Sequence, residues 1–299
     1  MKKFSKKNIK KNLHSSRFNK KTKSIIKTKT LKRKINNMKG GRINLRIQYV
    51  LGSYLSIYAR EKIIIPDDFE YIFKEIHSQY KFYFGDKNPL LEVQGKMNYN
   101  NSTAWAIPTL NVIKYIKEIA GDDSILEIGA GYGLWAALLT MIGCKIIPTD
   151  DYSWMKTKTG EDEETYINVE NISYGNALEK YKECKILFLC WPHAANDMPY
   201  NTIKKFTEEN NGQILIYIGE DEGGRTGSPE FFEYLDEHWL NEKEEYENIV
   251  KFFQPSSKLN NMSNKAKTNI AIEALKMPNW SDEYSHIKIF RRKSKIQNI

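Results

Sequence analysis

The 299-residue chain predicts an α/β fold: a doubly wound, mostly parallel sheet with an antiparallel last strand, preceded by a helical N-terminal cap. Three observations carry this expectation. From residue 102 onward, short apolar runs alternate with stretches of helical periodicity, the pattern of βα units. The runs Ile186–Cys190 (ILFLC) and Ile214–Ile218 (ILIYI) are apolar throughout, as strands covered on both faces are. The closing segment His286–Arg291 (HIKIFR) alternates instead, which suits an antiparallel strand with one wet face.

Residues 1–42 form a first region. They combine low hydrophobicity with high positive charge, which predicts a disordered tail, and Gly40-Gly41 punctuates its end. Residues 43–101 form the cap. Apolar positions at helical spacing (Ile47, Val50, Leu51, Tyr54, Leu55, Tyr58, then Phe69, Ile72, Phe73, Ile76) predict two helices separated by Ile65-Pro66. Residues 102–299 form the sheet domain. In order, they predict a helix at Val112–Ile119, a strand at Ser124–Ile128, a helix at Leu134–Ile142 and a strand at Cys144–Pro148. Helices at Ala177–Tyr181 and Asn201–Glu209 precede the two buried strands and would cross the sheet faces. Ser228-Pro229 is a helix start signal for Phe231–Trp239. No internal repeat is visible.

Composition narrows the function classes. No apolar run approaches the ~18 residues a membrane-spanning helix needs, and no signal-peptide core follows the basic start, so no membrane partner is expected. The cysteines, Cys144, Cys184 and Cys190, are odd in number and lack CxxC spacing, which points to a reducing compartment and away from a zinc site. No metal ligands are assigned. The net charge of +9 is unevenly distributed. Residues 1–40 carry 16 Lys/Arg and no Asp/Glu, while the other 259 residues carry 30 basic and 37 acidic side chains. A basic tail on an acidic body is a candidate for docking on nucleic acid. Nuclear import, for which Lys32-Arg33-Lys34 is the best cluster, and organelle targeting stay open beside it. So does a plain coding bias, since lysine outnumbers arginine 38 to 8. The expected location is intracellular, cytoplasmic or nuclear.

The most informative stretch is Ile125–Trp135, ILEIGAGYGLW. Gly129, Gly131 and Gly133 follow a strand and open a helix, where glycines allow a tight turn and close approach of a ligand to backbone. A dinucleotide fingerprint GxGxxG would want its last glycine at 134, which is Leu134. That spacing disfavours a nucleotide-dependent oxidoreductase. No lysine follows in the Walker A position either, so a P-loop is excluded.

The form ExGxGxG, with Glu127 before the glycines, resembles motif I of class I S-adenosylmethionine (SAM)-dependent methyltransferases, whose sheet is Rossmann-like. The resemblance implies SAM as cofactor, with Glu127 helping to hold its methionine amino end. It assigns Asp150, at the end of the second strand, to the ribose hydroxyls, in preference to the adjacent Asp151. It assigns Asn176, in Tyr174-Gly175-Asn176-Ala177, to the adenine amino group, where the family often has Asp.

Residues 102–292 also look like an uncharacterised methyltransferase-like subgroup, through Ala104-Trp105-Ala106-Ile107-Pro108, Cys190-Trp191-Pro192, Tyr217-Ile218-Gly219-Glu220 and Met277-Pro278-Asn279-Trp280. Trp105 is expected to cover the cofactor. Cys190-Trp191-Pro192-His193 stands where amino-methylating relatives often have (Asp/Asn/Ser)-Pro-Pro-(Tyr/Phe), and it lacks the polar first residue and second proline. The catalytic candidates are Trp191, stacking on a planar or cationic acceptor, His193 as general base, and Glu220 as proton acceptor or hydrogen-bond partner. Loop 219–227 suggests a mobile lid or a backbone close to ligand, with Arg225 able to clamp an anion. The expectation is a methyltransferase acting on an unidentified acceptor. The alternative is an inactive binding module of the same fold whose basic tail docks on nucleic acid or a protein.

Overall fold

A computed structural model describes residues 66–84, 96–97, 99–101, 103–154, 165–241, 245–254 and 262–293. The basic tail, Lys32-Arg33-Lys34 and the first cap helix lie outside the described residues.

The second cap helix is α1, Pro66–Phe84. Proline opens it, as the Ile65-Pro66 boundary predicted. Its apolar stripe, Ile72, Phe73, Ile76 and Tyr80, is buried. His77 sets its Nε2 3.0 Å from the Pro108 carbonyl oxygen. The Tyr80 hydroxyl donates to the carbonyl of Asn279.

The sheet domain begins with α2, Leu110–Ala120. The Thr109 hydroxyl accepts the Val112 N–H, and Gly121 ends the helix at φ +53°, where a side chain would be strained. Strand β1 (Ser124–Ile128) follows, then α3 (Leu134–Met141), β2 (Lys145–Asp150), the two-residue β3 (Glu170–Asn171) and α4 (Tyr174–Lys180). Next come β4 (Ile186–Cys190), α5 (Met198–Glu208), β5 (Ile214–Gly219) and α6 (Pro229–His238), the last capped by the Ser228 hydroxyl with Pro229 in the first turn. The chain closes with β6 (Trp239–Asn241), α7 (Glu245–Phe253), α8 (Asn264–Ala274) and β7 (His286–Arg292).

The strands form one seven-stranded sheet in the order β3-β2-β1-β4-β5-β7-β6. The first five are parallel, and β7 runs antiparallel to both β5 and β6. The order reverses between β1 and β4, as in doubly wound nucleotide-binding sheets. The fold is α/β and Rossmann-like, with the antiparallel last strand that the alternation of His286–Arg291 predicted.

Alternation along the strands divides the core. Ile125, Phe188, Ile216 and Ile218 face α1, α2, α3 and α7. Leu126, Leu187, Leu189, Leu215 and Tyr217 face α4, α5 and α6. Both faces are covered, which is why the central strands read as unbroken apolar runs. The observed strands and helices coincide with the sequence-read ones or differ by up to three residues at an end, and β3, β6 and α8 went unread. Strands β3 and β6 are too short to establish a period. Helix α8 buries one residue, Ala271, and so carries almost no stripe. Among the described residues, no helix is long and apolar enough to cross a membrane.

Candidate functional site

The carboxyl ends of β2, β1 and β4 open on a hollow of about 610 Å³, at the point where strand order reverses. Open α/β sheets bind ligands at this edge. The hollow is lined by Glu127, Gly129, Gly131 and Asp150, by Trp105, Trp191 and His193, and by residues not singled out in the sequence, including Asn100, Trp154, Tyr174 and Met198.

The glycine loop turns the chain from β1 into α3. Gly129, Gly131 and Gly133 have φ of +76°, +56° and +75°, so all three occupy the left-handed region that side chains avoid. Their surroundings differ. A Cβ on Gly131 would meet nothing within 4 Å, whereas one on Gly133 would lie 2.7 Å from Val169 Cγ2 and 2.9 Å from Ile167 Cγ2. Gly131 therefore borders the hollow, and Gly133 permits close packing behind it. The loop amides point inward. Gly129 and Ala130 N–H donate to the Thr149 carbonyl, Gly131 N–H donates to Asp150 Oδ2 at 2.8 Å, and Gly133 N–H donates to the Ala130 carbonyl. The described lining includes Glu127, Asp150 and Asp151 but no lysine or arginine. A diphosphate would meet like charge and few free donors there.

Glu127 projects from β1 and is 1% exposed, and its Oε2 has no hydrogen-bond partner. A buried acceptor left unpaired costs about 1–3 kcal/mol. Burial first, and then the nearby Asp150 carboxyl, hold the Glu127 acid well above the usual carboxylate range. It also faces Cys190, whose thiol burial pushes far up, with Glu127 adding to the effect. Such a thiol is not a nucleophile.

Asp150 ends β2, one strand away from β1. Its Oδ2 holds the Gly131 N–H. Its Oδ1 accepts the Tyr152 N–H at 2.7 Å and the Trp154 indole N–H at 3.0 Å. Burial raises its pKa, and these three donors pull against that rise. Trp154 is 50% exposed and meets Tyr132 edge-to-face, so its indole covers the Asp150 end from the solvent side.

Trp191 follows β4 with φ +56°, a strained conformation for a bulky residue. It is buried, and its N–H donates to the Ile218 carbonyl at 2.7 Å. Its indole lies nearly parallel to that of Trp105, with ring centres 6.1 Å apart and planes at 12°. The two rings stack, with the half-exposed Trp105 outermost. Asn100, also on the lining, is 3% exposed, and neither atom of its side-chain amide has a hydrogen-bond partner.

Two expected site residues lie outside the hollow, and a third, His193, lines it with its ring engaged. Asn176 is exposed at the third position of α4 and does not line the hollow. A helix turns by about 200° over two residues, so when Tyr174 faces inward Asn176 faces out. Glu220 is buried but outside the lining. Its Oε2 accepts the Arg225 N–H at 2.6 Å and its Oε1 the Tyr284 N–H at 3.1 Å, so its carboxylate ties loop to loop. His193 lines the hollow, but its Nδ1 lies 3.1 Å from the Ala195 N–H, which can only donate. In a neutral ring this contact places the proton on Nε2.

Loop 219–227 contributes no residue to the described lining, but it is bonded to the Pro192–Ala194 segment, of which Pro192 and His193 line the hollow. The Thr226 hydroxyl accepts the Glu220 N–H and bonds the Tyr217 hydroxyl, and the Gly227 N–H donates to the Pro192 carbonyl. Arg225 pairs with Asp282 and Glu283, which Lys96 also holds, so its charge is already matched. Among the described residues, no group of three or more His, Cys, Asp or Glu is gathered in a way that could hold a metal.

No family model matches the chain, and no curated protein matches it. Solved structures similar to it include a SAM-dependent methyltransferase from Archaeoglobus fulgidus, at 13% identity and TM-score 0.35, covering 73% of this chain and 99% of that one. Another is the plantazolicin methyltransferase BpumL in complex with a monoazolic desmethylPZN analog and SAH, at 11% identity and TM-score 0.33, covering 88% of this chain and 100% of that one.

Proposed function

We propose that the protein is a SAM-dependent methyltransferase whose cofactor lies in the hollow at the ends of β2, β1 and β4. The observation that carries this reading is the unpartnered, buried Glu127 oxygen beneath the glycine loop. An acid in that position fits a cationic amino group, which would supply the missing donor and repay the burial of the carboxylate. Asp150 fits a diol at the opposite side of the loop. It already accepts three hydrogen bonds, and a carboxylate has about four acceptor sites. A ribose would therefore take the remaining site and displace the Trp154 indole. The three carboxylates on the lining suit a ligand carrying positive charge and disfavour a dinucleotide.

The bound sulfonium supplies an electrophilic methyl group. This chain's residues would hold it, align an acceptor and exclude water. Trp191 and Trp105 form the aromatic side of the acceptor space. With His193 Nδ1 and the Glu220 carboxylate both engaged, the reading favours an acceptor that is nucleophilic without losing a proton first.

The decisive measurement is isothermal titration of the full chain with SAM and with S-adenosylhomocysteine (SAH). Binding of both is expected, with Asp150→Ala weakening both strongly. No detectable heat with either, at high protein concentration, would sink the proposal. Incubation with labelled SAM and fractionated extract then asks which fraction gains the methyl group.

A further inference from the structure

The three donors on the Asp150 carboxylate are not equally fixed. Two are main-chain groups: the Gly131 N–H on Oδ2 at 2.8 Å and the Tyr152 N–H on Oδ1 at 2.7 Å. The third is the Trp154 indole N–H, on Oδ1 at 3.0 Å. Gly131 is held by the glycine loop. The turn after β2 is held without the indole, by the Tyr152 N–H on Asp150 and the Ser153 N–H on Asp151 Oδ1 at 2.9 Å. Trp154 is half-exposed and lines the hollow, and its ring meets only Tyr132 and Tyr152 among the described aromatic side chains. A change of its side-chain rotamer frees the N–H and leaves the backbone in place. A carboxylate has about four acceptor sites, so the three donors leave one, on Oδ2. A ligand with a single hydroxyl can take that site beside the indole. Two adjacent hydroxyls need a second site, and only the one under Trp154 can be vacated.

We infer that Trp154 is a specificity-determining residue: its indole N–H stands in for the second hydroxyl of a vicinal diol on Asp150, and every diol ligand has to displace it. The inference rests on the methyltransferase reading, in which the diol is the ribose of the cofactor. Trp154 then narrows the difference between a diol and a single hydroxyl. A diol breaks the indole bond as it enters and replaces it with its own. A single hydroxyl leaves the indole where it is, so no carboxylate site loses its donor. Without the indole N–H, a diol enters at no such cost, whereas a single hydroxyl gains nothing. The residue therefore weakens binding of the ligand that the site fits best.

The test is a cycle of isothermal titrations on the full chain. Wild type and Trp154→Phe, which keeps a ring and removes the N–H, are each titrated with SAH and with its 2′-deoxy and 3′-deoxy analogues. A net hydrogen bond of ordinary strength corresponds to about three- to tenfold in affinity, so Trp154→Phe should bind SAH about three- to tenfold more tightly than wild type. The deoxy analogues should bind the variant no more than twofold more tightly than they bind wild type. The preference for SAH over its deoxy analogues is thus larger in the variant. Trp154→Leu, which also lacks the donor, should repeat the pattern, and cooperative melts of both variants report that they are folded. If SAH fails to bind the wild type, the methyltransferase reading falls and takes this inference with it. If SAH binds the wild type but binds both variants equally or more weakly, the indole does not hold the diol's place and the inference alone is overturned. Equal tightening of SAH and the deoxy analogues overturns it too, since the indole would then obstruct the hollow without regard to the hydroxyls.

Discussion

Replacing Glu127 with glutamine tests the centre of the argument. The variant keeps the shape and removes the ability to ionise. In the folded chain, burial and Asp150 favour the protonated acid. An arriving ammonium favours the carboxylate, so binding should drive a proton off Glu127. A hydrogen bond to a charged partner contributes about 1.5–3 kcal/mol. At about 1.4 kcal/mol per decade, Glu127→Gln should weaken SAH binding roughly 10- to 150-fold at neutral pH. The wild-type affinity should rise with pH by up to about one decade per unit, until the ligand's own α-amino group begins to lose its proton. The glutamine variant should show a flat profile, and the two should converge in acid. Titration in two buffers of different ionisation enthalpy counts the protons: up to about one released by wild type and none by the variant. Equal affinities at pH 7 with no difference in proton release would refute the role given to Glu127.

The same shift affects folding in the opposite direction. The Glu127 pKa is higher in the folded chain than its ordinary value of about 4.5. Above that pH the unfolded carboxyl ionises while the folded one stays neutral, so the folded state binds more protons and loses stability as pH rises. The loss continues until the folded pKa is reached. Glu127→Gln should therefore melt higher than wild type near pH 7, with the difference vanishing near pH 4.

Other expectations follow from individual contacts. Gly133→Ala should destabilise by about 2–4 kcal/mol, since left-handed strain of about 1–2 kcal/mol adds to a clash with Val169 and Ile167. Gly131→Ala should cost only the strain, and thermal melts of the pair should separate the two glycines. Glu220→Gln should lower stability by about 1–3 kcal/mol, because an amide cannot accept at both oxygens, yet leave SAH affinity within twofold. Deleting residues 1–40 should remove most of the salt dependence of any nucleic-acid binding and leave SAH binding unchanged, as read by titrations at several salt concentrations.

Sequence legibility varied with the kind of signal. The glycine loop, Glu127 and Asp150 were readable because each is fixed to the end of a strand, and strand ends at a switch point face one edge. Trp191, just after β4, was readable for the same reason, whereas Trp105 precedes α2 and was placed only by the resemblance. Asn176 was not, because a helix start leaves rotation open, and two residues suffice to turn a side chain from the hollow to solvent. Glu220 stands at the end of a strand like the others, but its carboxylate is claimed by amides of Arg225 and Tyr284, the latter 64 residues away. Nothing near it in sequence marks that contact. Asn100 and Trp154 belong to no motif, and only burial or a shared cavity singles them out.

The costs in this fold gather around one hollow. Glu127 is buried with an unpaired oxygen, Asn100 with an unpaired amide, and Trp191 is held at positive φ. Each costs on the order of 1–3 kcal/mol in the empty protein. A fold retains such costs where a ligand offsets them, and that relief is contained in the ligand's dissociation constant. At 100 times its dissociation constant SAH should add about 2.7 kcal/mol. For a domain of this size that is roughly 5–10 °C in melting temperature. Glu127→Gln should raise the melting temperature of the free protein and shrink the shift that SAH produces, two changes of opposite sign from one substitution. A substitution that simply damaged the core would lower the first, and one at a site unrelated to the ligand would leave the second untouched. Melting curves of both proteins with and without SAH distinguish these cases, and an undiminished shift in the variant would mean that Glu127 does not meet the ligand.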